Sequence, residues 1–346
     1  MSAAILALVQ SLSPASTLSS KLGLLRPLLV AVGVLVIAYL TFRIGPDAIW
    51  SAFTTLSWRL LLVLVFPTGL VVIADTLAWR YAFPRPPRSF GRLLGIRLAG
   101  DAVNLATPTA SVGGDLVKAY LLRPRVPLRE GLASVIADKT TGVLSQVLAL
   151  GGGMVAVAIL LPSPRAVLTT SAAALALEVV CLVGFIAIQL KGAIGGGGRL
   201  MAKLSMSPGP ERQAMLDGMD RILRALYLER TPSLAMSAMW HFVGFALGTI
   251  EIYLVVRFLG VPISPLAAFA IGALGSAVKF FSFMVPASLG ALEGGNVAIF
   301  SAFGLGGAVG LTYTLVRRLR ELVWIAAGFL ASHLVSLAPG TPGEGP

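Results

Sequence analysis

One pattern, met twice, constrains this chain more than any other: GDAVNLATPTASVGGD over Gly100–Asp115 and GSAVKFFSFMVPASLGALE over Gly275–Glu293. Each copy opens on a glycine followed one residue later by Ala-Val, and then carries a polar or basic side chain, Asn104 or Lys279. Each breaks at a proline, Pro108 or Pro286, and reaches small residues and glycine (Gly113 and Gly114; Gly290) before an acid, Asp115 or Glu293. A helix does not run straight through such a stretch, because proline lacks a backbone donor and glycine leaves the backbone loosely constrained. In lipid the freed backbone groups cost several kcal/mol each unless protein or a wet cavity shelters them. Two breaks at corresponding places in two halves point to a transport site between repeats.

Lipid is the solvent that composition implies. Of 346 residues 56% are hydrophobic and only 12% charged, with mean hydropathy +0.88, whereas soluble domains carry roughly 25% charged residues. The expectation is an all-α polytopic membrane protein of six full spans plus two re-entrant helical hairpins, arranged as an inverted repeat. The net charge of +12 sits beside apolar spans rather than in patches interleaved with aromatics. It therefore reads as positive-inside topology and contact with anionic lipid, not as nucleic-acid binding. The single cysteine, Cys181, lies in an apolar run and offers no disulfide framework or Cys-based metal site. No Lys or Arg precedes the Ile5–Val9 apolar patch, which argues against a cleavable signal peptide.

Residues 1–23 are expected as a cytoplasmic segment, 24–338 as the membrane domain in halves 24–161 and 166–337, and 339–346 as a disordered tail. Leu24–Phe42 and Leu60–Tyr81 read as the first two spans. Arg85, Arg88 and Arg92 then place the following loop in the cytoplasm. Leu93–Leu105 is too short to cross a core about 30 Å thick. With Lys118, Arg123, Arg125 and Arg129 on its far side, it reads as a hairpin entering and leaving from the cytoplasm. Leu132–Leu161 and Ala166–Leu190 are the next spans, and the loop at 191–230 carries an amphipathic stretch, Glu211–Leu228, expected as a solvated or interfacial helix. Leu234–Phe258 crosses outward. Leu266–Val285 is long enough to cross, the Pro286–Gly295 break interrupts it, and Val297–Phe303 completes a second hairpin. Leu311–Leu337 is the last span, which leaves both termini cytoplasmic.

Charges within spans cost ~2.5–3.5 kcal/mol each on the lenient insertion scale, so they face a cavity or pair. Asp138 with Lys139, and Arg317, Arg318 and Arg320 with Glu321, are therefore the most informative side chains. They read either as a phosphate-bearing head-group site, with arginine supplying a planar fork and lysine a point charge, or as helix pairing. Three arginines against one acid favour the first reading for the second group. Asp115 and Glu293 stand where a helix restarts, placed to cap it or to hold a driving cation or proton. Gly113 and Gly114 offer amides for phosphate. Asp75 and Glu251 read as proton carriers or as partners of Arg80 and Arg257. His241 and His333 read as buried histidines rather than metal ligands. No Walker A, HExxH or GxSxG pattern occurs, and no cofactor is expected.

GDAVNLATPTASVGGDLVKAYLLR, then ASVIADKTTGVLSQ and KFFSFMVPASLGALEGG, together resemble the lysylphosphatidylglycerol synthase transmembrane-domain family, and most of all its hopanoid-associated subgroup. The resemblance runs from about Phe90 to the last span. It implies a flippase-like inner-membrane protein that moves an anionic phospholipid or related amphiphile between leaflets and is not itself an enzyme. The synthases' aminoacyltransferase domain has no counterpart here, so lysyl transfer is not expected. On that expectation Lys118, Lys139, Lys279, Arg317, Arg318 and Arg320 attract the anionic group, and Asn104, Asp115 and Glu293 shape the site. Membrane lipid is the expected ligand, with a second copy or a lipid-export complex as protein partner. A membrane-embedded transferase acting on a polyprenyl or hopanoid lipid, and a scaffold of an export complex, are the alternatives.

Overall fold

A computed structural model describes residues 57–106, 112–192, 210–282 and 288–337, with single positions at 47, 50, 54 and 196. The expected first span at 24–42, the N-terminal segment, the tail, and both break prolines, Pro108 and Pro286, lie outside the described residues. Within them the chain is all-helical: α1 (Arg59–Tyr81), α2 (Phe90–Ala106), α3 (Gly113–Leu122), α4 (Leu128–Leu160), α5 (Arg165–Leu190), α6 (Pro210–Glu229), α7 (Thr231–Phe258), α8 (Pro265–Phe281), α9 (Ala291–Ala302) and α10 (Gly307–Leu337).

Four of these, α1, α4, α5 and α7, are long and apolar enough to cross a membrane, as expected of a polytopic membrane protein. Their large side chains point outward as well as inward: Val155 and Ile159 on α4, and Val180 and Val183 on α5, are all at least 60% exposed. That pattern suits lipid as solvent, where burying apolar surface against another helix gains little. The final helix α10 has 31 residues, about 46 Å at 1.5 Å per residue. Its arginines and glutamate keep it out of the purely apolar class.

Both expected interruptions separate short helices that pack on each other: α2 on α3, and α8 on α9. The 17 residues of α2 and of α8 reach about 25 Å, short of a full crossing. The sequence reading of an apolar run to Val285 is corrected here, since α8 ends at Phe281. The helix closes on Ser282, whose amide bonds the Val278 carbonyl at 3.0 Å. Ser282 Oγ then donates to the Lys279 carbonyl at 3.2 Å. The α8 start is built by Ser264, whose Oγ accepts the Ala267 amide at 3.1 Å, with Pro265 opening the helix.

The first hairpin closes on two glycines. A Cβ on Gly114 would stand 1.9 Å from the Gly100 carbonyl oxygen, and one on Gly100 would stand 2.4 Å from Lys118 Cγ, so only bare backbone permits this crossing. Each hairpin's first helix also lies along the long helix that ends the other half: α2 on α10, and α8 on α4. Both contacts are close, with Gly328 of α10 against the Leu98 carbonyl and Gly153 of α4 against Ala273.

The amphipathic helix at 210–229 is present, with Glu211, Arg221 and Arg224 exposed along its polar face. Leu223 and Leu226 are fully buried in a cluster with Trp79, Ala133 and Ala137, so its apolar face is covered by α4. The Tyr227 hydroxyl lies 2.9 Å from both Thr140 Oγ1 and Gln189 Oε1, fixing the helix to α4 and α5.

Candidate functional site

The first hairpin gathers a network of alternating charge. Arg97, one turn before Asp101 on α2, is buried, and its guanidinium reaches three carboxylates: Asp75 of α1 at 3.6 Å, Asp101 at 3.6 Å and Asp138 of α4 at 3.3 Å. It also donates to the Asp75 carbonyl at 2.7 Å. Asp101 in turn holds the Lys118 ammonium of α3 at 2.7 Å. Asp115, in the first turn of α3, takes Lys118 at 3.8 Å and Lys139 of α4 at 2.8 Å. On the other side His241 of α7 stands between Asp75 and Asp138, 2.9 Å from each. The planar fork of arginine suits this bridging role, since lysine offers only a point charge.

Asn104 joins the hairpin across its break. Its Oδ1 accepts the Gly114 amide at 2.7 Å and its Nδ2 faces Asp115 Oδ1 at 3.5 Å. The restart of α3 is therefore capped by Asn104 from the preceding helix, which leaves the Asp115 carboxylate to the two lysines.

The second hairpin gathers another network around α10. Glu293, fully buried in the first turn of α9, accepts the Gly290 amide at 2.7 Å and Arg318 Nε at 2.9 Å. Gly290 has φ +79°, a conformation that favours glycine. Arg318 also reaches Glu321 at 3.1 Å, Arg317 reaches the same glutamate at 3.4 Å, and Arg320 pairs with the buried Glu251 of α7. Lys279, two residues before α8 ends, lies within electrostatic reach of Arg317, Glu321, Asp101 and Arg318. Its side chain is exposed and makes no ion pair among the described residues.

Two expectations change. Three arginines against one acid overstated the excess, because Glu251 and Glu293 arrive from other helices; four cations, Lys279 included, now face three acids. Asp75 and Glu251 do not pair with Arg80 and Arg257. Separations of five and six residues turn the side chains roughly 140° and 120° apart on a helix, and the partners found are Arg97, His241 and Arg320. Arg97, Asp101 and the bridging role of His241 were missed. Their one signal was Arg97 and Asp101 at i,i+4 inside an otherwise apolar segment. Gly113 and Gly114 are buried at the α3 start, where the Gly114 amide is taken by Asn104.

At the mouth of the first hairpin is a cavity of about 240 Å³. Its lining combines Arg85, Arg88, Arg92, Arg125 and Glu130 with Leu93, Ile96, Leu121 and Leu122. Cationic and apolar side chains thus share one cavity, matching the two kinds of surface an anionic amphiphile presents. Among the described residues no cluster of His, Cys, Asp and Glu is arranged to hold a metal ion.

The family model described as the lysylphosphatidylglycerol synthase TM region matches residues 28–328. A membrane protein of Methanothermobacter thermautotrophicus, named UPF0104 membrane protein, is 24% identical over 315 residues, covering 87% of this chain and 92% of that relative. No solved structure matches.

Proposed function

The chain belongs to the lysylphosphatidylglycerol synthase TM-region family, and from that membership we propose that it is a lipid translocase, moving an anionic phospholipid or related amphiphile between the leaflets of the inner membrane. The observation that carries this reading is Lys279. It stands on the second hairpin, within electrostatic reach of Asp101 on the first hairpin, and makes no ion pair among the described residues. The charged ends of the two broken hairpins thus approach each other, as a head-group path between them requires. Charge left over in lipid is costly, and a passing phosphate is the group that balances it.

In this reading both hairpins are re-entrant and the halves form an inverted repeat: α1, α2/α3 and α4 correspond to α7, α8/α9 and α10. Support comes from the packing, which exchanges into itself. The contact of α2 with α10 becomes that of α8 with α4, α3 on α4 becomes α9 on α10, and α1 on α7 is its own counterpart. The acids after the breaks match too, since Asp115 takes Lys139 of α4 while Glu293 takes Arg318 of α10. Rocking of one half against the other then exposes the path alternately. The head group enters from the cytoplasmic side through the arginine-lined cavity. The excess of basic residues there supports a cytoplasmic setting for that mouth, with α6 and both termini on the same side. The work is transport without covalent chemistry, carried out by the chain alone or with a second copy or export partner.

The test is exchange of fluorescent phosphatidylglycerol and of zwitterionic phosphatidylcholine in liposomes holding the purified chain. Wild type is expected to accelerate phosphatidylglycerol exchange, and Lys279→Gln to slow it at least tenfold. Rates no faster than protein-free liposomes would sink the translocase reading, and equal rates for wild type and Lys279→Gln would sink the site.

A further inference from the structure

His241 sits between two carboxylates. Its Nδ1 is 2.9 Å from Asp75 Oδ1 and its Nε2 is 2.9 Å from Asp138 Oδ1. A neutral imidazole has one N–H and one lone pair, and an ionised carboxylate has lone pairs only. With all three groups in those forms, one of the two contacts sets lone pair against lone pair. Both are satisfied only when the three residues hold one further proton, on the second ring nitrogen or on a carboxyl.

The surroundings ask for the same proton. Among the described elements packed on α7, α1 presents Asp75 and α4 presents Asp138, while Arg97 of α2 reaches both carboxylates. From α8 the charged group is Lys279, which lies by Arg317 and Glu321. From α10 it is Arg320, held on Glu251 of α7 itself. From α6, Tyr227 bonds Thr140 and Gln189 rather than the imidazole. Among the described residues Arg97 is the one fixed cation within ion-pair distance of the triad, with Lys118 of α3 further off but within electrostatic reach of Asp138. Asp101 and Asp115 hold the lysines Lys118 and Lys139, which leaves Asp75 and Asp138 sharing Arg97. One added proton makes that group of two acids and one arginine neutral, which is the cheaper state in lipid.

We propose that Asp75, His241 and Asp138 form a proton-binding site, and that its filling and emptying couples lipid movement to a proton. The coupling half rests on the translocase reading; the proton site does not. The triad ties α1, α4 and α7 together, so losing the proton opens one of the two His241 contacts and removes one buried polar link between α7 and a neighbour, while Thr141 and Ser237 still meet at 2.8 Å between α4 and α7. The same loss makes the triad more negative by one charge, drawing Arg97 towards it and away from Asp101. Asp101 holds Lys118, Lys118 also meets Asp115, and Asp115 holds Lys139. The ladder therefore runs from the imidazole to the restart of the first hairpin. Gly244 makes the approach possible, because a Cβ there would stand 2.9 Å from Asp75 Oδ1.

Two measurements test this on the purified full chain. Infrared difference titration between about pH 5 and 10 is expected to show one imidazole or carboxyl protonation step that is missing in both His241→Gln and Asp138→Asn. Gly244→Ala keeps every titrating group while crowding Asp75, and is expected to shift that step. No step, or one unchanged in all three variants, overturns the proton site. In liposomes a pH gradient of one unit is expected to shift the steady-state leaflet ratio of labelled phosphatidylglycerol by up to about tenfold for one proton per lipid, and not to do so in His241→Gln. Exchange that ignores the gradient in wild type overturns the coupling while the translocase reading stands. Absence of any exchange overturns that reading and the coupling with it, and the infrared step still decides the proton site.

Discussion

Arg318 Nε lies 2.9 Å from Glu293 Oε1, and the other oxygen of that carboxylate takes the Gly290 amide at 2.7 Å. One side chain thus starts α9 and anchors it to α10. Glu293→Ala removes the cap, typically worth about 1 kcal/mol, and takes from Arg318 one of the two carboxylates it reaches, leaving it Glu321. Glu293→Gln keeps an acceptor for the amide and loses only the charge. Thermal unfolding in detergent is expected to rank wild type above Glu293→Gln and Glu293→Ala last; equal melting of the two variants would show that the cap contributes nothing.

The first break depends on bareness instead of charge. A Cβ at Gly114 would meet the Gly100 carbonyl at 1.9 Å, and backbone on both sides has no rotamer to yield. Gly114→Ala is expected to cost at least the ~1–3 kcal/mol of ordinary overpacking. Size-exclusion profiles should show aggregated or absent protein, while Gly91→Ala, open on all sides within 4 Å, should elute as wild type.

The sequence announced local features and hid distant ones. Apolar runs placed α1, α4, α5, α7 and α10, and the i,i+3/i+4 pattern of Met215, Met219, Leu223 and Leu226 placed α6 to within a residue of Pro210–Glu229. Pro and Gly marked both interruptions. Charge partners were invisible, because Asp75 and His241 are 166 residues apart and nothing local distinguishes such a pair from Asp75 with Arg80. Arg97 was passed over, although the apolar residues on both sides of it place it within α2. Spacing alone does not tell which glycines meet a neighbour: of the pairs four apart, Gly95 and Gly310 are at interfaces, whereas Gly91 faces open space and Gly306 has φ +87°.

Arg97 is the hub of the first network, and the shape of its head decides how many acids it serves. Arg97→Ala leaves Asp75, Asp101 and Asp138 without their common cation, a loss of about 3–5 kcal/mol for a buried pair. Arg97→Lys restores the charge but cannot span three carboxylates and the Asp75 carbonyl from one ammonium. Chemical denaturation in mild detergent is expected to give Arg97→Lys less than half of the stability that separates Arg97→Ala from wild type. Full rescue by lysine would mean that charge alone matters there.

Glu178 offers the opposite case, a buried acid outside both networks. It lies on α5 with no exposed surface; Oε1 accepts Gln146 Nε2 at 3.1 Å, and Oε2 has no hydrogen-bond partner. Glu178→Gln keeps the acceptor for Gln146 and replaces a costly acid with a neutral amide of the same shape. The variant is expected to match or exceed wild-type stability by up to about 1 kcal/mol, within the usual range for a buried hydrogen-bonded group. Lipid exchange and its response to a pH gradient should be unchanged, since no ion pair joins Glu178 to the hairpins among the described residues. A loss of gradient response in Glu178→Gln would move the proton path from the Asp75, His241 and Asp138 cluster to the α4/α5 contact.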